Sequence, residues 1–559
     1  MKKHTELQES GQLKTDGPPP REAKIAEMSA RIAGMTTVQI AERLVKQEAL
    51  IAHYEEQFRL SQHRRFGASS EKTDYDGHEQ QSLFNEAEVT ADPTAAEPEL
   101  EEITYKRRKK HGKDERLPAD VPVEIIEYNL SDEEKICPEC GEDMPRIGVE
   151  TRDELVIIPA TVTIRRHVKE VCACRKCRDN QEVSTPVVKA AAPPPVISGS
   201  FASPEAVAHI MCQKFVMAVP LYRQEFEWRR NDVHLSRQTM SNWLIKCAED
   251  WLEPIYKELK RRLIARDVAH CDESVLQVLR EPGKSAQSNS YMWLYRTGSD
   301  AETAVVLFEY APGRGHEYPM AFLSGFKGFL HTDGYEAYRK LPDVTVVGCL
   351  AHARRKWDEA LKAIPKEARI GTSAFAGLEY CNKLFRLERQ FAKLSPDERL
   401  QKRQELARPV LDAFYNWLQN LNAAPQSLLG KAESYTLSQW PYIEHYLLDG
   451  RLEISNNRAE RSMKMFAINR KNFLFAVSQA GAKSSAIIFS LIRTAIENNL
   501  KPFEYLAYIF RNAPALDIRN NPDDLAKLMP DSTSLPDNIR FVGQESRAGE
   551  QRHVWDVVQ

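Results

Sequence analysis

The chain has no long hydrophobic run. One of its longest apolar stretches, Ala486 to Ile492 (AIIFSLI), contains a serine and is far short of the roughly 20 residues a membrane-spanning helix needs. The opening MKKHTELQES has no apolar core, which argues against a secretory signal. Glycine and proline are sparse, 24 and 31 among 559 residues, which excludes a collagenous or low-complexity chain. Ten cysteines are too dilute for a disulfide scaffold of this length. What remains, 42% apolar and 28% charged, is an ordinary globular balance. At about 100–200 residues per domain it provides for three to five domains. The expectation is a soluble, cytoplasmic protein with no membrane partner.

A net positive charge is also missing: the formal balance is −3. That average hides a segregation. Thr73 to Thr104 holds ten acidic residues and no Lys or Arg, which leaves the rest of the chain at +7. Tyr105 to Arg116 has seven basic and two acidic residues, and Arg451 to Leu500 has eight and three. An acidic tether beside basic patches is compatible with a nucleic-acid partner, and equally with a solvated linker between solvated faces.

Residues 1–35 are polar, broken by Pro18-Pro19-Pro20, and read as disordered. In 36–72 the apolar positions Ile40, Leu44, Ile51, Tyr54 and Phe58, with Gln47 in the same stripe, step by 4 and 3, which keeps them on one helix face. A short amphipathic helix and a coiled coil explain this spacing equally. The acidic then basic linker occupies 73–116, and a cysteine-bearing module 117–190, with strand-like runs Leu155–Ile158 and Val162–Ile164. Residues 200–265 read as helical. Within them Val233 to Leu244 has a turn-then-helix look, with Ser236 as a cap and Arg237, Gln238 and Asn242 projecting outward as DNA contacts. A plain helical hairpin gives the same pattern.

Over 266–352 the pattern changes to strands at Val268–Val278, Tyr291–Arg296, Ala304–Tyr310, Gly328–Thr332 and Val344–Cys349, with short helices at His316–Leu323 and Tyr335–Lys340. Three strands followed by alternation predict an α/β layer. Residues 353–450 read as helical. A last structured group, 451–512, carries helices at Ser455–Phe466, Ser485–Asn498 and Pro502–Arg511, and 513–559 reads as a loose tail.

Two motif sets carry chemistry. Cys137-Pro-Glu-Cys140-Gly and Cys174-Arg-Lys-Cys177 are CxxC knuckles. Their four thiolates form the tetrahedral set of one structural Zn²⁺. Cys172 falls outside that spacing. Arg175, Lys176 and Arg178 on one knuckle suit a module that holds DNA. The second set is acidic. Asp272 lies inside an apolar strand and Asp333 ends another, where each costs desolvation unless paired or metal-bound. Glu460 opens a helix, where Asn457 three residues earlier would also make a capping box. Of the rival carboxylates, alternation puts Glu273 on the opposite sheet face, and Asp358 is expected to pair with Arg354-Arg355-Lys356. Three carboxylates converging on an α/β sheet point to two Mg²⁺ (or Mn²⁺) ions and phosphoryl transfer.

The ordered set FGASSEK (66–72), CPECG, CRKC, VPLYRQE (219–225), LSRQTMSNW (235–243), CDES (271–274), HTDGYEAY (331–338), CLAHARRKW (349–357), SNNRAERSMK (455–464) and RKNFLFAVSQAGAKSSAIIFSLIRTA (470–495) resembles the transposases of the insertion-sequence-66 family. Ser274 stands where that family usually has Thr. The resemblance implies a DDE catalytic domain of ribonuclease-H-like fold, with Asp272, Asp333 and Glu460 as its catalytic triad and 353–450 as a helical insertion. It implies cleavage and strand transfer at the terminal inverted repeats, with phosphate contacts from Arg354, Arg355, Arg458, Arg461, Arg470 and Lys471. A homo-oligomeric synaptic complex on double-stranded DNA follows, with small accessory proteins of the same element as further partners and the nucleoid as the place of action. Cys349 and His352 form a C-x2-H pair: a buried thiol with a positioning histidine explains it, and His352 is also a candidate to support the active site. A nuclease or resolvase without strand transfer, and a zinc-dependent repressor without catalysis, are the alternative functions.

Overall fold

The structure, a computed structural model, describes Thr36, Ile51, Glu142 and residues 162–173 and 187–541. The cysteine knuckles, the heptad stripe apart from the helical Ile51, and both charged linkers lie outside the described residues. The chain divides into two compact units, one of 1–74 with 167–551 and one of 75–166 with 552–559. Of the second unit, Glu142 and 162–166 are described; all are exposed, and Val162–Ile164 forms no strand, contrary to expectation. The first unit opens on a short antiparallel pair, β1 (Val171–Ala173) and β2 (Val187–Lys189).

Four helices follow. Ser203 caps α1 (Pro204–Phe215) by accepting from Ala206 N, with Pro204 in the first turn where no N–H is needed. α2 (Leu221–Arg230) and α3 (Arg237–Cys247) form the turn-linked pair, and Ser236 accepts from Thr239 N at 3.1 Å as its sequence position suggested. α3 runs through a π turn into α4 (Glu253–Ile264).

The sheet then forms. β3 (Val268–Arg280), β4 (Asn289–Thr297) and β5 (Val306–Ala311) make an antiparallel meander. After α5 (Glu317–Phe322), β6 (Gly328–His331) pairs parallel with β3, and β7 (Val344–Val347) parallel with β6. The order is β5-β4-β3-β6-β7, with β3 central. Between β6 and β7 the expected helix is a 3₁₀ turn, Glu336–Lys340. The β3–β6 ladder ends at His270 opposite His331; β3 continues through Asp272, and β6 stops two residues before Asp333.

A helical block follows: α6 (Leu350–Lys362), α7 (Ser373–Phe391), α8 (Pro396–Lys402), α9 (Arg408–Gln419) and α10 (Leu428–Ile443). It has its own core of Trp357, Cys381, Leu384, Phe414, Trp440 and Tyr446. Gly377 is required there, since a Cβ would sit 2.3 Å from the Trp357 ring. The chain returns to the sheet through α11 (Asn457–Phe473), β8 (Ala476–Ser478), α12 (Gln479–Glu497), α13 (Pro502–Asn512) and α14 (Pro522–Ala526).

α12 covers the edge strand β5 in an unusual way. Asn498 Oδ1, Thr494 Oγ1 and Ser490 Oγ accept from the backbone N–H groups of Ala304, Val306 and Phe308 at 3.0, 3.0 and 2.7 Å. Four helical residues rise about 6 Å and two strand residues about 6.7 Å, so a polar residue every fourth position can serve every second strand amide. The open edge is thereby satisfied without another strand. Beyond Pro514 the expected loose tail is packed as far as Phe541: Leu528, Met529, Leu535 and Ile539 are buried, and Leu500 bridges to Arg540.

Candidate active site

Asp272 lies two residues past the point where β6 stops pairing with β3, and Asp333 two residues past the end of β6 itself. Asp333 therefore emerges at the carboxyl end of β6, a position where open α/β sheets bind ligands, and Asp272 lies within β3 just beyond its parallel pairing with β6. The HTDGY turn is built for this. Gly334 has φ +99°, and a Cβ there would meet Gln439 Oε1 at 2.5 Å. Asp333 Oδ1 accepts from Tyr335 N at 3.0 Å and its carbonyl from Tyr435 Oη at 3.1 Å, which fixes the loop.

The third acid comes from α11, and a buried polar clamp sets where that helix begins. Asn456 donates through Nδ2 to the Cys271 carbonyl at 2.7 Å, its Oδ1 pairs with His270 Nδ1 at 3.0 Å, and its backbone N–H reaches Cys349 Sγ at 3.2 Å. Arg296 on β4 holds the next turn, donating to the Arg458 carbonyl at 3.2 Å and to Ser462 Oγ. The expected Asn457–Glu460 capping box does not form: the cap residue is Asn456, its side chain bonds to the strand, and no side-chain cap is made. Glu460 is thus released from helix capping.

Asp333 and Glu460 both lie within electrostatic reach of Asp272. Asp272 is held well above the usual carboxylate range by burial, then by the negative charges of Glu273, Asp333 and Glu460. Glu273, its neighbour on the other face, is differently placed. It accepts from Arg314 Nη2 and from Tyr338 Oη, each at 2.6 Å, so both its oxygens are engaged. Asp358 pairs with Lys362 at 3.0 Å and not with the preceding basic run.

Around Glu460 the polar groups are incompletely matched. Arg355 Nη2 lies 3.5 Å from Oε2, and His352 Nδ1 lies 3.8 Å from Oε1. Both His352 Nδ1 and Glu460 Oε1 are buried without a hydrogen-bond partner. Cys349, His352 and Glu460 bring one donor atom each within 4.8 Å of one another. Burial lowers His352 from its ordinary value against the pull of Glu460, and pushes the Cys349 thiol up to about 12. Beneath the site, His270 and His331 stack at 4.2 Å. Burial pushes His270 down to about 4 and His331 well below its ordinary value. Against the cost of its own burial, Glu453 is held far down by Arg458 at 2.6 Å and by these histidines.

The basic residues divide. Arg354, Arg355, Arg461 and Lys471 are exposed, although Arg354 donates to Asn382 Oδ1 at 2.8 Å. Arg458 is engaged by Glu453, and Arg470 by Ser274 Oγ at 3.2 Å and the Val275 carbonyl. Arg237, Gln238 and Asn242 are exposed on α3, with Gln238 bonded to Asn242 at 3.1 Å. Asn456, Arg296, Glu453, His270 and His331 escaped the sequence reading. Doubled asparagine in SNNRAE and the histidines two residues before each Asp were their available signals. Among the described residues no helix is long and apolar enough to cross a membrane.

Comparison with known proteins agrees with these motifs. Residues 199–484 match the family described as "Transposase IS66 family", residues 53–126 the "Transposase C of IS166 homeodomain", and residues 134–178, which contain both knuckles, the "zinc-finger binding domain of transposase IS66". Two relatives from Sinorhizobium fredii (strain NBRC 101917 / NGR234) are the uncharacterized proteins y4jD and y4qI. The first is 30% identical over 407 residues, covering 69% of this chain and 76% of y4jD. The second is 26% identical over 508 residues, covering 87% and 89%. The chain belongs to the IS66 family of transposases.

Proposed function

We propose that this transposase cuts and rejoins DNA by a DDE mechanism on a ribonuclease-H-like domain, with Asp272, Asp333 and Glu460 holding two Mg²⁺ or Mn²⁺ ions. The strand order with its central β3, the meander followed by two parallel strands, supports the fold. The observation that carries the chemistry is that the buried Asp272 carboxyl is acted on by the negative charges of Glu273, Asp333 and Glu460. Such a cluster repels itself unless cations enter, and the unpartnered Glu460 Oε1 and His352 Nδ1 are the groups a cation would satisfy. Ions held there supply charge stabilisation of the attacking and leaving oxygens of a phosphodiester.

The chain's own residues do the rest. Asn456 and Arg296 hold the start of α11 against β3 and β4, so Glu460 meets the aspartates without a mobile hinge. Water attacks the phosphorus at the element end and the P–O3′ bond breaks, leaving a 3′ hydroxyl and a 5′ phosphate. That hydroxyl then attacks a target phosphodiester, forming a new P–O bond and releasing a target 3′ hydroxyl. Exposed Arg354, Arg355, Arg461 and Lys471 face phosphates, and α3 offers Arg237, Gln238 and Asn242 to DNA. Cys137, Cys140, Cys174 and Cys177 hold one Zn²⁺ in the module that precedes this domain. Action on inverted repeats within an oligomer, with accessory proteins of the same element, completes the reading.

The test supplies duplexes ending in the element's termini with a free 3′ hydroxyl, a target plasmid and Mg²⁺. Joined products are expected. Cleavage of uncut ends without joining would favour a nuclease, and binding without either reaction would favour a repressor.

A further inference from the structure

We propose that His352, through Nδ1, is a direct ligand of the divalent ion on the Glu460 side, which makes that half of the centre a mixed nitrogen–oxygen site selective for Mn²⁺ over Mg²⁺. The inference rests on the reading of Asp272, Asp333 and Glu460 as ion-holding residues and adds a fourth side chain to them.

Three observations lead there. First, His352 Nδ1 and Glu460 Oε1 are 3.8 Å apart, both buried and both without a partner. That separation is too long for a hydrogen bond, and burying two matched polar atoms with nothing between them costs free energy. Neighbouring ligands of one ion are separated by about 3–3.5 Å when each bond is about 2.1 Å, so a small side-chain adjustment suffices. Second, Glu460 has its two oxygens differentiated: Arg355 approaches Oε2 and leaves Oε1 facing the histidine. Third, the two helix starts that carry these groups are tied together. The Leu350 N–H donates to the Ile454 carbonyl at 3.1 Å, and the Asn456 N–H to Cys349 Sγ at 3.2 Å. His352 and Glu460, each in the first turn of its helix, therefore face each other on a fixed frame.

Cys349 completes the donor cluster in space but not in chemistry. Its sulfur is buried, 3% exposed, and already accepts the Asn456 N–H. It acts as a positioning residue that joins the starts of α6 and α11. The ion is thus held by imidazole and carboxylate, a pairing that suits Mn²⁺, whereas Mg²⁺ favours oxygen alone.

Electron spin-echo spectroscopy of Mn²⁺ added to untagged, zinc-loaded full-length protein tests this directly, because nitrogen bonded to Mn²⁺ modulates the echo. The expected result is ¹⁴N modulation in the parent, its loss in His352→Gln, and its retention in Cys349→Ser. In competition titrations the preference for Mn²⁺ over Mg²⁺ should fall about tenfold in His352→Gln. It should fall further in His352→Asp, which offers oxygen and keeps the ion bound. Mn²⁺ that binds in a Glu460-dependent way without ¹⁴N modulation, or modulation that survives His352→Gln, overturns the inference and leaves the three acids standing. Mn²⁺ binding that is indifferent to both Glu460→Gln and Asp272→Asn overturns the ion-holding reading itself.

Discussion

Arg403 and Glu460 are both charged side chains with buried polar atoms, and the molecule treats those atoms in opposite ways. Arg403, in the helical block, is 1% exposed and uses all five of its N–H donors. It donates to Glu388 through Nε and Nη2 at 2.9 and 2.7 Å, and to the carbonyls of Tyr446, Asp449 and Leu452 at 2.8–2.9 Å. Glu460 and the neighbouring His352 leave buried atoms unmatched, and Asp272 faces two further acids. The contrast extends along the chain. Among the described residues of 353–450, the Tyr446 hydroxyl is the only unpartnered buried side-chain atom and no non-glycine residue has positive φ. Saturated charge marks a region whose task is to stay folded; unsaturated charge marks one that expects a visitor.

The contrast breaks most sharply at Asp272. An Asp272→Asn protein should lose at least about 10³-fold in end joining, equivalent to roughly 4 kcal/mol of barrier, with labelled element ends as the readout. Its unfolding free energy should hold or rise by about 1 kcal/mol, because a carboxylate repelled by its neighbours has become neutral. A variant that lost both activity and stability would make Asp272 a structural residue and end the contrast.

The reverse experiment is Arg403→Met. Glu388 and three carbonyls would lose their donor in the interior, a change that costs about 3–5 kcal/mol. Urea unfolding should register that loss, and the remaining folded protein should join ends at the parental rate. An unchanged urea midpoint would show that the Arg403 network contributes nothing.

Half of this difference is legible in the sequence. The sheet strands were legible because Val268–Arg280 and its partners are apolar or alternating runs bounded by turn residues, and Asp272 and Asp333 stood out as acids in such runs. Glu460 was found, but its release from capping was not, because Asn456 and Asn457 are interchangeable to a local rule and only the position of β3 chooses between them. The α12 stripe of Ser490, Thr494 and Asn498 read as interruptions of an apolar helix, since the amides that it satisfies lie nearly 200 residues earlier in the chain. The same distance hid Arg296, whose carboxylate partner Glu497 closes a buried pair at 3.2 Å. Sequence carries period and local chemistry, and a long-range polar partner has neither.

Acid should separate the titrating groups of the site by sign. His270, pushed down to about 4, and His331, lower still, stay neutral when folded, while in the unfolded chain they take up protons below about pH 6.5. The stability they contribute is therefore complete above about pH 6.5 and is lost as pH falls toward 4, on the order of 3 kcal/mol from His270. Asp272, raised when folded, acts oppositely: its contribution is present at low pH and lost as pH rises through its folded value. Measured in Asp272→Asn, the acid limb should steepen relative to the parent. A limb identical in both proteins would mean that Asp272 is not perturbed.

The smallest effect concerns backbone strain on the site's own helix. α11 ends at Leu474 with φ +63° and ψ −52°, and the Phe475 N–H donates to the Phe473 carbonyl at 2.7 Å across it. This is the uncommon γ-turn with positive φ, strained for any residue that has a Cβ. Leu474 gains little in return, since it is 61% exposed. Leu474→Gly should therefore stabilise the fold by about 0.5–1 kcal/mol, the usual saving when glycine replaces a side chain at positive φ, less the entropy that glycine adds to the unfolded chain. If end joining also falls, the strained leucine serves the DNA beside Lys471 and the site stores strain as well as charge. If joining is unchanged, the lack of matching around Glu460 is confined to electrostatics, and the turn is only the cheapest way to lead α11 into β8, which must reach Val278 and Arg280 to complete its pairing with β3.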